Sequence, residues 1–176
     1  MQNKTLIVMG SAPCLFDDLA KVKKYKADCM AVNESAVMYL GDIQHIATYH
    51  PVYLPGLISA RKAMGGNTDF TTHSHKGFIN PDTLKEVVSK IWPLPKVNPG
   101  YTDFLSGTST LFGVEVGLNL GYEKIIVCGA PMEGDYEQFQ EAWKRALPHL
   151  KGKVTSMSGW TKDLLTEQEN KTQEVL

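Results

Sequence analysis

Short apolar runs alternate with helix-spaced segments from one end of this sequence to the other, and that alternation limits the fold more than any other feature. The first run, Leu6-Ile7-Val8-Met9, is short and β-branched at its middle, which reads as a buried strand. Gly10-Ser11-Ala12-Pro13-Cys14-Leu15 follows as a tight turn. Gly10 lets the backbone turn without a Cβ penalty, and Pro13 fixes φ where a helix begins. Leu15, Phe16, Leu19 and Val22 then recur at helical spacing, with Asp17 and Asp18 in the first turn, where negative charge is favourable.

The same pattern predicts strands at 28–32, 45–48, 69–72, 124–128 and 153–157, and helices at 36–40, 54–64, 111–120, 135–147 and 161–165. The polar stretch Thr72-His73-Ser74-His75-Lys76-Gly77 reads as a loop. Between Phe78 and Gly100 four prolines interrupt the pattern. There 82–90 reads as a short helix and 93–101 as a loop over the sheet edge. Regular alternation argues for an α/β fold, a Rossmann-like open, mostly parallel sheet with helices on both faces. One nucleotide-binding domain is expected over 1–165, followed by a polar tail over 166–176.

The 176 residues are 43% hydrophobic and 21% charged, enough for an ordinary globular core. A formal net charge of −1 gives no general attraction to nucleic acid or to an anionic membrane, so nucleic acid is not an expected partner, while a local basic patch and a peripheral membrane role stay open. Cys14, Cys29 and Cys128 are odd in number and lack metal-ligand spacing, so the expectation is a reducing, cytoplasmic setting with no metal. The N-terminus shows no signal-peptide-like apolar region, and no run approaches the ~18 residues of a membrane span. Oligomer formation stays open.

In open parallel sheets ligands bind at the carboxyl ends of the strands. A small-residue turn entering a helix also offers unpaired N–H groups to a phosphate. Those rules select Gly10, Ser11, Ala12, Asn33, Thr108, Ser109 and Gly129 as candidate nucleotide-binding residues. Asn33 and Ser109 read equally well as helix caps. His50, His73 and His75, expected on the same rim, are candidate catalytic groups, one of them a general base. The expected ligand is a nucleotide or nucleotide sugar, with no permanently bound cofactor. Glu115 lies inside an apolar helix and must be paired or face a cavity. Cys14 reads as a small packed residue, and Trp160 as either a stacking platform or an anchor for the last helix.

Several of these motifs resemble a known family. Gly10-Ser11-Ala12-Pro13-Cys14-Leu15 is similar to the Gly-Asn-Gly-Pro-Ser-Leu opening of the bacterial CMP-sialic-acid-dependent sialyltransferases, and to a related group that includes archaeal pterin diphosphokinases. Val32-Asn33, Tyr49-His50-Pro51, Thr108-Ser109-Thr110, Leu120-Gly121-Tyr122 and Cys128-Gly129-Ala130-Pro131 resemble that family's later motifs, in order. The resemblance covers residues 4 to 133 and extends to phage and prophage gene products. It implies nucleotide-sugar binding and, as an expectation, glycosyl transfer. A non-catalytic nucleotide-binding module and a pyrophosphoryl transferase are the alternatives. Ala12, Cys14, His50 and Pro131 depart from the family pattern, and its catalytic His-containing segment has no clear counterpart. The binding function therefore carries over more fully than the transfer chemistry.

Overall fold

The computed structural model describes residues 4–75, 87–92 and 108–173. Among them, seven strands form one sheet: β1 (Thr5–Met9), β2 (Asp28–Val32), β3 (His45–Ala47), β4 (Thr71–His75), β5 (Lys90–Trp92), β6 (Lys124–Cys128) and β7 (Val154–Ser156). Every pairing is parallel, and the order across the sheet is β5-β4-β3-β2-β1-β6-β7. The expected Rossmann-like α/β architecture is the one observed.

Successive residues of each central strand serve opposite cores. Leu6, Val8, Met30, Val32, Ile125 and Val127 pack with α4 (Ser109–Asn119), α5 (Gln140–Leu150) and the start of α6 (Gly159–Gln173). Ile7, Met9, Cys29, Ala31, Ile126 and Cys128 face the layer of α1 (Leu15–Val22), α2 (Ser35–Met38) and α3 (Leu54–Ala63). Burial on both faces is why these strands read as unbroken apolar runs. Trp143 on α5 is fully buried in the first core.

A buried arginine ties the second layer together. Arg61 on α3 donates to the carbonyls of Ala36, Tyr39, Gly41 and Asn67, and to Asn67 Oδ1. Asn67 in turn accepts from Ile43 N and donates to Ile43 O, so the clamp reaches the entry to β3.

Three local expectations are corrected. The fourth strand runs over Thr71–His75, not 69–72, so His73 and His75 belong to a strand rather than a loop. Polar side chains hid it, because its hydroxyl and imidazole groups are hydrogen-bonded inside the protein. No helix reaches Lys90, which instead opens β5, a three-residue edge strand too short to show periodicity. The last helix extends over Gly159–Gln173, well beyond 161–165. The rest of the 82–90 expectation, the 93–101 loop and Ser106-Gly107 lie outside the described residues. Among the described residues no helix is long and apolar enough to cross a membrane.

Candidate functional site

The sheet order places a reversal between β1 and β6. The chain lays β2 through β5 outward on one side of β1, then returns to set β6 on the other. The crevice at the carboxyl ends of two such strands is where open α/β sheets bind ligands. Here Gly10 follows β1 and Gly129 follows β6. Gly10 N–H donates to Cys128 O (2.8 Å), and Ala12 N–H donates to Gly129 O (3.1 Å). Gly129 has φ +66°, and a Cβ there would lie 2.7 Å from Gly10 O. A Cβ on Gly10 would fall on the Gly129 carbonyl. Only glycine fits at either place.

This crossing forms the floor of a cleft of about 990 Å³. Gly10, Ser11, Ala12 and Pro13 border it on one side, Val32, Asn33 and Glu34 on a second, and Thr108, Ser109 and Thr110 on a third. Ala130 to Glu133 and Asp135, Tyr136, Gln138 and Phe139 make the far lip. Two non-glycine residues with positive φ, Asn33 (54°) and Met132 (53°), both line it. Asn33 tolerates that conformation readily; for Met132 it is strain concentrated at the cleft.

A carboxylate behind the wall fixes the crossing. Asp18 is fully buried; it accepts from Gly129 N–H (3.0 Å), the Ser158 hydroxyl (2.6 Å) and Lys21 Nζ (2.9 Å). Cys14 Sγ lies 3.3 Å from Ser158 Oγ, so the thiol packs into the same cluster. In the sequence Asp18 reads only as a favourable first-turn charge. Its partners lie about 110 and 140 residues away, and no local signal announces them.

The Gly10 turn has fewer free donors than its sequence implies, because the Gly10 and Ala12 N–H groups are bonded to β6 residues. The first turn of α4 is better placed. Thr108 caps it, its hydroxyl accepting from Leu111 N–H (3.2 Å). Ser109 and Thr110, the first two helical residues, border the cleft, and their N–H groups have no acceptor within the helix. Ser109 Oγ accepts from Tyr49 N–H (3.4 Å). Asn33 Oδ1 accepts from the Thr48 hydroxyl (2.6 Å), which also receives His50 N–H (2.9 Å). Asn33 is thus held by a strand-end bond rather than acting as a simple side-chain cap.

The three histidines separate. His50 is exposed on the rim, its ring 5.8 Å from that of Tyr53. His75 lies in the wall, its Nε2–H donating to Tyr49 O (3.2 Å) and its ring edge-on to Tyr49 and near Phe112. Burial holds its pKa below the usual histidine value, opposed by the Tyr49 carbonyl and reinforced by His50.

His73 does not line the cleft. It sits within a relay of defined polarity, fully buried. Trp92 Nε1–H donates to His73 Nδ1 (3.0 Å), so His73 Nε2 carries the proton and donates to His45 Nδ1 (3.1 Å). His45 Nε2–H then donates to the Tyr122 hydroxyl (3.0 Å), and Tyr122 donates to Asp28 Oδ2 (2.7 Å). Burial depresses His73 to about 3, with His45 and Lys90 adding repulsion, and burial also lowers His45. This imidazole joins strands.

Glu115 on α4 has a buried Oε1 without a hydrogen-bond partner, and burial pushes its carboxyl up to about 7. Asn119 bonds its backbone carbonyl, not its carboxylate (2.8 Å). Trp160 is outside the cleft lining; Lys144 Nζ lies 5.9 Å from its ring centre. Glu133 Oε1 accepts from Trp160 N–H (3.0 Å), linking the far lip to the start of α6. Glu133, Asp135, Tyr136 and Phe139 were not selected from the sequence, since no spacing rule joins them to Gly10. Among the described residues no group of three histidine, cysteine or carboxylate side chains is arranged to hold a metal ion.

A solved structure shares this fold. It is the sialyltransferase CstII from Campylobacter jejuni, in complex with a substrate analogue, cytidine-5'-monophosphate. The TM-score is 0.56 at 12% sequence identity, over 96% of this chain and 84% of that one. The relation is a distant one of fold. No family model matches the sequence, and no curated protein matches it.

Proposed function

We propose that this chain binds a nucleotide sugar in the cleft between β1 and β6 and transfers its glycosyl group. The observation that carries the reading is the first turn of α4: Ser109 and Thr110, whose N–H groups have no acceptor within the helix, border a cleft also bordered by Ser11 and Asn33. Phosphate sits at that turn and beside Ser11, where helix N–H groups favour an anion. Asn33 meets the ribose or base. In this reading His50, exposed on the rim, takes the proton of an acceptor hydroxyl. Shared fold with a protein bound to cytidine-5'-monophosphate supports the choice of ligand.

A non-catalytic nucleotide-binding module is the second reading. It is favoured by the internal bonds that Asn33 Oδ1 and Ser109 Oγ already make, which suit a fixed binding surface.

Thermal-shift measurements against CMP, CDP, UDP, GDP and their sugars test the shared core of both readings. Stabilisation by at least one is expected, and stabilisation by none at millimolar ligand sinks both. Product analysis with and without candidate acceptors then separates transferase from module. Ser109→Pro removes one of the two α4 N–H groups at a first helical position that tolerates proline, and should weaken binding with the fold, checked by its melting curve, intact; unchanged affinity puts the phosphate elsewhere.

A further inference from the structure

We infer that an anionic ligand oxygen at the first turn of α4 is held by proton uptake at Nδ1 of His75, an inference that rests on the nucleotide reading of the cleft. The backbone of one residue, Tyr49, joins the two groups. Its N–H donates to Ser109 Oγ (3.4 Å), and its carbonyl accepts from His75 Nε2–H (3.2 Å). That second bond fixes the neutral tautomer and leaves the lone pair on Nδ1. His75 is 6% exposed and borders the cleft, yet Nδ1 has no hydrogen-bond partner. A buried polar atom without a partner is costly and calls for a reason.

The charges around the cleft supply one. Among the described residues its lining holds Glu34, Glu133 and Asp135 but no lysine or arginine. Among these described residues, a phosphate entering there meets helix N–H groups and no fixed cation. The ionisable groups around His75, among the described residues, are the neighbouring His50 and Tyr49 and, two residues back on the same strand, His73. From α4 the Phe112 ring meets it, with Glu115 nearly a turn further along. Burial, with His50 adding repulsion, lowers the proton affinity of this imidazole against the pull of the Tyr49 carbonyl. A bound phosphate reverses that balance: one proton from solvent adds to Nδ1, and the new N–H⁺ donates to a phosphate oxygen. The orphaned atom and the lack of a cation among the described lining residues then answer each other.

Calorimetric titration tests this with the methyl phosphodiester of CMP, whose phosphate takes up no proton near neutrality. In buffers of different ionisation enthalpy, the full chain should take up close to one proton on binding at pH 7.5. Affinity should fall as pH rises, by up to about tenfold per unit. His75→Gln, checked for folding by its melting curve, should abolish the uptake, whereas His149→Gln on α5, outside the cleft, should keep it. Binding without uptake, or uptake that survives His75→Gln, overturns the inference while the nucleotide reading stands. Absence of binding by CMP, its diester and the other nucleotides overturns both. If His75→Gln does not fold, nitrogen NMR of the wild type decides: Nδ1 must change from unprotonated to protonated on saturation, and an unchanged Nδ1 overturns the inference.

Discussion

Gly10 and Gly129 each occupy the space that a side chain on the other would need. One follows β1 and the other β6, and their backbones cross at the floor of the cleft. Gly129→Ala should therefore destabilise the protein by about 2–4 kcal/mol, from left-handed backbone strain plus overpacking against Gly10 O. Urea unfolding of the variant measures it. A loss within experimental error of zero would mean that the crossing relaxes without resistance.

Arg61 gives the second prediction. Its guanidinium is fully buried and bonded to carbonyl oxygens at the end of α2 and beyond α3. Arg61→Ala strips those acceptors of their donor and should cost about 3–5 kcal/mol. Arg61→Lys keeps the charge but not the planar fork, so it should recover only part of the loss. Full recovery in the lysine variant, by denaturant midpoint, would reduce the role of Arg61 to charge alone.

The third concerns acid. The folded-state pKa of His73 is depressed to about 3, against an ordinary value of 6.5. Its contribution is thus complete above pH 6.5 and is lost as pH falls toward 3, because the unfolded chain takes up a proton that the relay excludes. The loss should reach at most about 1.4 kcal/mol per pH unit in that window. Stability measured from pH 7 to pH 4 should fall more steeply in the wild type than in His73→Gln. Parallel profiles would contradict the assignment.

Glu115 works in the opposite sense. Its folded pKa is raised to about 7 from 4.5, so stability is full below pH 4.5 and declines as pH rises through 7. Glu115→Gln should stabilise the protein at pH 8 by about 1–2 kcal/mol, discounted for partial solvent access, and change little at pH 5. Melting curves at both values check the sign. Equal effects at the two would show that burial is not what matters.

The sequence carried the central architecture because buried parallel strands advertise themselves. Residues 6–9 and 125–128 are apolar on both faces of their strands, and glycine follows each. What it hid was polar structure in the interior. β4 is a run of threonine, histidine and serine whose hydrogen bonds go to β3, Tyr49, His45 and Ser89, partners that no local window contains. The same holds at the site. Ser109 and Asn33 announce themselves as cap-type residues at turns, whereas Asp18 reaches Gly129 and Ser158 across most of the chain. His73 and His75 look alike in sequence, yet one belongs to an interior relay and the other to the cleft wall.

The place of β6 in the sheet also sets a timetable for synthesis. β1 emerges from the ribosome long before β6, its partner on one side, which ends at Cys128. Until that segment arrives, β1 presents a bare hydrogen-bonding edge with an apolar strand on it, the feature that invites pairing with other chains. A nascent or truncated chain ending before β6 lacks both the second partner of β1 and the floor of the cleft. Such fragments should aggregate rather than bind, and the full chain depends on a late, long-range insertion that is slow by its topology.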